Sequence, residues 1–239
     1  MINKNLLEEK AIKWQTTLLN VVREYLQHRF LSILFKEEKS SVLFFKGGTA
    51  LRTIFNSPRF SEDLDFSLEK ISTQDLEKLI ETVLLGLEQE NIKLNISDSK
   101  VTSGGYLFDS KAEILDFHLK FVLNLVEKES LAGETILVEP EITPSYTAQI
   151  LARESIFEEK LKAALSRQKS RDIFDLYFIL RSENLRKYLS LGSIDRNKLV
   201  KNLEKADKDK IENDLKQFLP NSFHILLKNL PEILIRELE

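Results

Sequence analysis

Two adjacent glycines, Gly47 and Gly48, stand behind a short apolar run, Val42-Leu43-Phe44-Phe45, and in front of Thr49 to Phe55. That order predicts a buried strand, a sharp turn and a short helix, ended by Asn56-Ser57-Pro58. Glycine lacks a Cβ, so the backbone there can come close to a neighbour. The free N–H groups that open a helix favour anions, and a triphosphate is a natural occupant. For two glycines alone a plain strand-to-helix turn is the better explanation. What narrows the choice is the stretch Asp63-Leu64-Asp65-Phe66-Ser67-Leu68. Its alternation predicts a half-buried strand with Asp63 and Asp65 on one face. Neighbouring carboxylates repel unless a cation lies between them. Mg²⁺, or Mn²⁺, suits that place, because hard divalent ions take carboxylate and phosphate oxygens. A solvated strand face is the bland alternative. A glycine turn followed by such a pair, at a spacing that allows strand, helix and return strand, points to metal-dependent transfer of a nucleotide.

The rest of the chain divides in two. Leu6 to Leu34 has helical periodicity without glycine or proline, and Ser72 can cap a helix from Thr73 to Gln89. Ile92, Leu94 and Ile96 alternate with polar residues as a strand does, Ser103-Gly104-Gly105 is a turn, and Ile114 to Leu125 and Ile136 to Val138 read as strands. Beyond Pro140 and Pro144 helices are expected over Ala148 to Arg167, Asp172 to Arg181, Asp195 to Lys205, Lys208 to Phe218 and Phe223 to Leu238. The expectation is an α+β chain: a sheet with flanking helices over residues 1–145, then a helical domain over 146–239 that contributes to the site.

That helical half carries a second polar block, Glu159-Lys160-Leu161-Lys162-Ala163-Ala164, followed by Arg167 and by Arg171-Asp172-Ile173-Phe174-Asp175-Leu176. On one continuous helix Lys160, Ala164, Arg167 and Arg171 would share a face, and Lys160 could place a point charge on a phosphate. Alternatively Ser170 caps a new helix, Asp172 sits in its first turn, and Arg171 pairs with Asp175.

Composition removes other classes. With no cysteine and three scattered histidines, His28, His118 and His224, neither a thiolate nor a histidine metal site is expected. A net charge of −3 argues against a general nucleic-acid coat, though not against a local basic groove. No apolar run approaches the ~20 residues of a membrane span, and no secretory signal is visible. A reducing cytoplasm is the simplest home. Trp14, Tyr25 and Phe30 read as core residues of the first helix rather than a base-stacking platform.

The segment Gly47-Gly48-Thr49-Ala50-Leu51-Arg52, with Arg59 and Ser61-Glu62-Asp63-Leu64-Asp65-Phe66, resembles the signature of the AbiEii/AbiGii toxins, a branch of the polymerase β-like nucleotidyltransferases. The block around Lys160, Arg167 and Asp172 resembles the same family's helical half. The resemblance implies a nucleotidyltransferase-fold mixed sheet and a toxin with a cognate antitoxin. It implies NTP and Mg²⁺ as substrate and cofactor, and the 3′ end of a tRNA as acceptor. It implies Asp63 and Asp65 as metal ligands, and Gly47, Gly48, Thr49, Arg52, Ser61 and Lys160 at the nucleotide. Asp63, Asp65, Lys160 and Asp172 would be catalytic. One departure stands out. Such enzymes carry a third carboxylate on a later strand, and here Lys120-Phe121-Val122-Leu123-Asn124 has Val122 where the acid is expected. Asp116 lies upstream, and Asp172 could substitute. Two other readings therefore stay open: nucleotidylylation of a protein hydroxyl, and a nucleotide-binding protein without turnover.

Overall fold

The computed structural model describes residues 3–167, 169–189 and 195–238. The chain forms two compact units, Met1–Asn56 with Phe60–Ala152, and Ser57–Arg59 with Arg153–Glu239.

The first unit is built on a seven-stranded mixed sheet. Its strands are β1 (Leu43–Lys46), β2 (Leu64–Leu68), β3 (Lys93–Thr102), β4 (Gly105–Ile114), β5 (Phe117–Glu127), β6 (Gly133–Val138) and β7 (Tyr146–Leu151). They lie in the order β3-β4-β5-β2-β1-β7-β6. The pairs β2–β5 and β1–β7 are parallel and the rest antiparallel. Helices α1 (Lys4–Lys13), α2 (Leu18–Leu34), α3 (Gly47–Thr53) and α4 (Thr73–Glu88) flank the sheet. The core lies where α2 and α4 cover it: Phe30, Phe45, Phe66 and Phe121 are almost fully buried, with the Phe45 and Phe66 ring centres 5.4 Å apart. Ser72 caps α4 as predicted, accepting from the Asp75 N–H.

Three local readings are corrected. The single helix over residues 6–34 is broken: Gln15 adopts φ 52° and Thr17 caps α2 by accepting from the Asn20 N–H. The strand read over residues 114–125 is the end of β4, a tight turn and most of β5, with Leu115 at φ 51°. On β4 the buried side chains are Tyr106, Phe108, Ser110, Ala112 and Ile114. Small and polar residues at two of these inward positions mask the alternation. Finally, Ala148 to Leu151 is not helix but the end of β7, with Ile150 level with Phe45 in the sheet. Alanine, glutamine and leucine favour helix locally, and pairing on both sides overrides them.

The second unit is helical: α5 (Arg153–Ser166), α6 (Ser170–Arg181), α7 (Glu183–Arg186), α8 (Arg196–Glu204), α9 (Lys208–Lys216), α10 (His224–Leu227) and α11 (Leu230–Leu238). Helix α6 is its centre, packing on α5, α7, α9 and α11 through Ile173, Phe174, Leu176, Ile179 and Leu180. The helix read from Phe223 to Leu238 is two, α10 and α11, and Pro231 falls in the first turn of α11, where no N–H is missed.

Phe66 is the packing anchor of the strand that carries Asp65. Phe66→Ala is expected to cost about 3–5 kcal/mol. The check is urea unfolding, in which the midpoint should fall at an unchanged slope.

Candidate active site

The antiparallel pairing of β1 and β2 sets Lys46 opposite Asp65, so the chain turns into α3 directly beside that carboxylate. Gly47 makes the turn at φ +86°, a left-handed conformation. A Cβ there would lie 2.2 Å from Asp65 Oδ2 and 2.8 Å from Asp65 Cβ. Both the backbone angle and the space therefore demand glycine. On the other side, β5 runs parallel to β2 with Asn124 level with Asp65, and Asn124 Nδ2 donates to Asp65 Oδ1 at 3.1 Å. Asp63 stands just ahead of the strand. Thr49, fully buried, donates its hydroxyl to the Asp63 carbonyl at 2.5 Å, and Thr53 donates to the Thr49 carbonyl at 2.9 Å. The Thr49 hydroxyl thus ties α3 to the entrance of β2.

Helix α2 holds the same segment from behind. Gln27 Nε2 donates at 3.0 Å to the carbonyls of both Ser61 and Glu62, and Arg23 pairs with Glu62 at 3.1 Å. Glu24 accepts from Arg52 Nε at 2.8 Å, and the Arg52 guanidinium lies 4.0 Å over the Phe60 ring and 5.4 Å over Trp14. His28 Nδ1 lies 2.9 Å from the Tyr146 hydroxyl. Burial, with the positive Arg52 nearby, lowers the His28 pKa to about 4, so this imidazole is neutral at physiological pH. Burial raises the Glu24 carboxyl despite Arg52. Asn20, Arg23, Glu24, Gln27 and His28 are all buried. Their spacing along the helix is the signal by which this polar stripe was readable in the sequence.

Carboxylate oxygens such as those of Asp63 and Asp65 are the donors that a hard divalent ion takes. Among the described residues no cluster of three or more His, Cys, Asp or Glu is arranged as a protein cage for a metal. Mg²⁺ needs none, since it is commonly held by one or two carboxylates together with substrate phosphates. The third carboxylate, sought at Val122, resolves differently. The residue level with Asp65 is Asn124, and Val122 lies opposite Asp109 of β4. Asp116 is an exposed turn residue paired with Lys4 at 3.1 Å.

The residues from the second block lie in the helical unit. The continuous helix through Lys160 and Arg171 does not exist, because α5 ends at Ser166 and α6 begins at Ser170. Ser170 does not cap α6; its hydroxyl lies 2.7 Å from Asp214 Oδ2. Asp175 is fully buried and is the acceptor of two cations: Arg59 donates through Nε at 2.8 Å and Nη2 at 3.0 Å, and Lys160 donates at 2.7 Å. Arg171, the expected partner, is exposed. Burial alone would raise the Asp175 carboxyl; Arg59 and then Lys160 override it and bring the pKa down to about 2. Two cations thus share one carboxylate. Lys160 is the more exposed of the two. Asp172 Oδ1 accepts from Arg167 at 3.0 Å, while its buried Oδ2 has no hydrogen-bond partner among the described residues.

With this geometry in view, the chain can be set beside known proteins. The sequence profile of the family described as "Nucleotidyl transferase AbiEii toxin, Type IV TA system" matches residues 29–232. No functionally curated protein is significantly similar. Among solved structures, MenT4, a nucleotidyltransferase toxin from Mycobacterium tuberculosis H37Rv, superposes with a TM-score of 0.63 at 14% identity, covering 100% of this chain and 89% of that one. A structure titled as a putative nucleotidyltransferase from Helicobacter pylori superposes at 0.59 and 20% identity, covering 93% and 97%. JHP933 from the same bacterium superposes at 0.58 and 21%, covering 93% and 94%. These likenesses share the fold of this chain.

Gly47→Ala should cost about 1–3 kcal/mol from backbone strain, with the collision against Asp65 added. Calorimetry should show a lowered melting temperature. Asp175 generates a pH expectation. Near pH 7 it is ionised in both folded and unfolded chains. As the pH falls below the ordinary carboxyl pKa of about 3.9, the unfolded chain binds a proton first, while folded Asp175 resists to about 2. Its contribution, present above that window, is therefore lost on acidification through it. Melts from pH 5 to 2 should show a slope that Asp175→Asn flattens, the variant being less stable than wild type at pH 7.

Proposed function

This chain belongs to the AbiEii nucleotidyl transferase toxin family of type IV toxin–antitoxin systems, and we propose that it transfers a nucleotide from an NTP to the 3′ end of a tRNA in a Mg²⁺-dependent reaction. The observation that carries this reading is the close packing of Gly47 on Asp65, with Asp63 anchored alongside by Thr49. Backbone N–H groups at the start of α3 then open next to the Asp65 carboxylate, with Asp63 two residues before it. That is what a triphosphate with its counter-ion requires.

Gly47 and Gly48 would take the phosphates, and Asp63 and Asp65 would hold Mg²⁺. When bound, Mg²⁺ would neutralise charge on the phosphates and the leaving pyrophosphate. The acceptor hydroxyl oxygen bonds to the α-phosphorus, the bond to the β-phosphate breaks, pyrophosphate leaves and the hydroxyl proton goes to solvent. Asn124 orients the Asp65 carboxylate through Oδ1. Arg52 and Ser61 serve the nucleotide by keeping the loop in place. The family motif assigns Lys160 to the nucleotide phosphates, and its Asp175 carboxylate, shared with Arg59, leaves Lys160 able to answer a second anion. Asp172 is assigned to the catalytic set on the same motif. A cognate antitoxin restrains the enzyme, and the cytoplasm is where tRNA, NTP and antitoxin meet.

The test is incubation with each α-labelled NTP, Mg²⁺, and tRNA or total protein. Label should enter tRNA, vanish with EDTA, and vanish with Asp63→Asn or Asp65→Asn. Lys160→Ala should lower incorporation by about 10²-fold; it also removes an ion pair to buried Asp175 and should lower the melt, so the assay is run well below that melt. Label in protein instead of tRNA would give the acceptor role to a side-chain hydroxyl. Label in neither would leave a nucleotide-binding protein.

A further inference from the structure

The sheet face that carries Asp65 does not end there. Asn124 is level with Asp65 and bonded to it, so Val122, Lys120 and His118, at alternate positions of β5, face the same way. On β4, Lys111 is directly opposite Lys120 and Asp109 opposite Val122. On β3 the register slips between Ile96 and Asp98, making Ser97 the extra residue of a bulge. Ser97, Asp109, Lys111, His118 and Lys120 together line a groove of about 520 Å³.

The charges in this groove are not self-sufficient. Lysines facing each other across an antiparallel pair repel. Lys120 is partly compensated by Asp109 at 2.9 Å. Lys111 is exposed and has no carboxylate partner among the described residues. His118 is exposed beside them. The groove shares its sheet face with Asp65, which Asn124, four residues along β5 from Lys120, meets through a hydrogen bond; the Lys120 ammonium is held protonated chiefly by its bond to Asp109, with Asp63 and Glu62 adding to it. Lys120 and His118 follow one another along β5 as it leads away from Asp65, and Lys111 stands level with Lys120 on β4; this row of basic groups suits a ligand with anions in series.

We propose that this groove is the acceptor-strand site: it binds the phosphodiester backbone of a single-stranded RNA end, with Lys111 and Lys120 on successive phosphates and the terminal hydroxyl directed toward Asp63 and Asp65. This inference rests on the nucleotidyl-transfer reading for its direction, but the binding itself does not require turnover. A protein acceptor would have no need of two lysines set opposite one another, whereas a nucleic-acid strand supplies the anions that quiet their repulsion.

The experiment uses the full chain in EDTA, so that no transfer occurs, and a fluorescein-labelled single-stranded RNA dodecamer ending in CCA, followed by anisotropy from 50 to 200 mM salt. Lys111→Glu and Lys120→Glu should each weaken binding about tenfold at 100 mM salt and reduce the salt slope by about one. Lys201→Glu, an exposed change on α8, should leave the affinity as it is. Fluorescent NTP binding in Mg²⁺ should persist in Lys111→Glu, and thermal melts should confirm that each variant folds. Wild type without measurable RNA affinity, groove variants binding like wild type, or displacement of the RNA by unlabelled casein as readily as by unlabelled RNA would each overturn the proposal. If RNA binding follows the groove lysines but no NTP is ever incorporated, the transfer reading fails while the groove stands.

Discussion

The arrangement of the first unit turns on a glycine that leaves no room for a side chain beside a carboxylate. Gly47 has to be left-handed, and no side chain can stand between it and Asp65. From that contact much else follows. Strand β1 must end opposite Asp65 so that α3 starts there, and β2 must present Asp65 on the side away from the buried Leu64 and Phe66. The turn tolerates no drift, because a shift of one residue on β2 would put an apolar side chain against the turn and bury the carboxylate in the core.

Around this contact the protein places polar groups where a small domain ordinarily places apolar ones. Helix α2 faces inward with an arginine, a glutamate, a glutamine and a histidine, each buried and each bonded to the segment or the sheet it supports. Such groups are costly to bury and acceptable only when partnered. What they contribute is geometric definition: Gln27 grips two successive carbonyls immediately before Asp63. A leucine in its place would pack but would not fix where the carboxylates point.

The parts of this arrangement that were legible in the sequence are those written locally. Gly47, Gly48 and the Asp63–Asp65 pair lie within short stretches whose periodicity states strand, turn and strand. The family signature extends that reading to Lys160 and Asp172. The helices of the second half were legible from their apolar spacing, apart from where they break. What could not be read depends on register or on distant partners. Asn124 stands level with Asp65 because two strands far apart in the chain happen to run parallel. Strand β4 is hidden by Ser110 and Ala112 at inward positions, and β7 by residues that favour helix until a sheet claims them. Asp175 was given a partner four residues away, as helix rules suggest. The burial of Arg59 supplies a better one.

That last pairing makes the helical unit discontinuous. Residues 57–59 leave the α/β unit between α3 and β2 and belong with the helices, and Arg59 meets Asp175 across 116 positions of chain. During synthesis the arginine emerges long before the carboxylate that will neutralise it. Until α6 is made, the loop between α3 and β2 has one end with nowhere to settle, and that loop leads straight into Asp63. Settlement of that loop therefore waits until α6, which ends at Arg181 of 239 residues, has been made. A ribosome-bound fragment holding the entire sheet would still lack the anchor of the loop beside it. The pairing also means that neither half can be exchanged between relatives as a simple contiguous cassette.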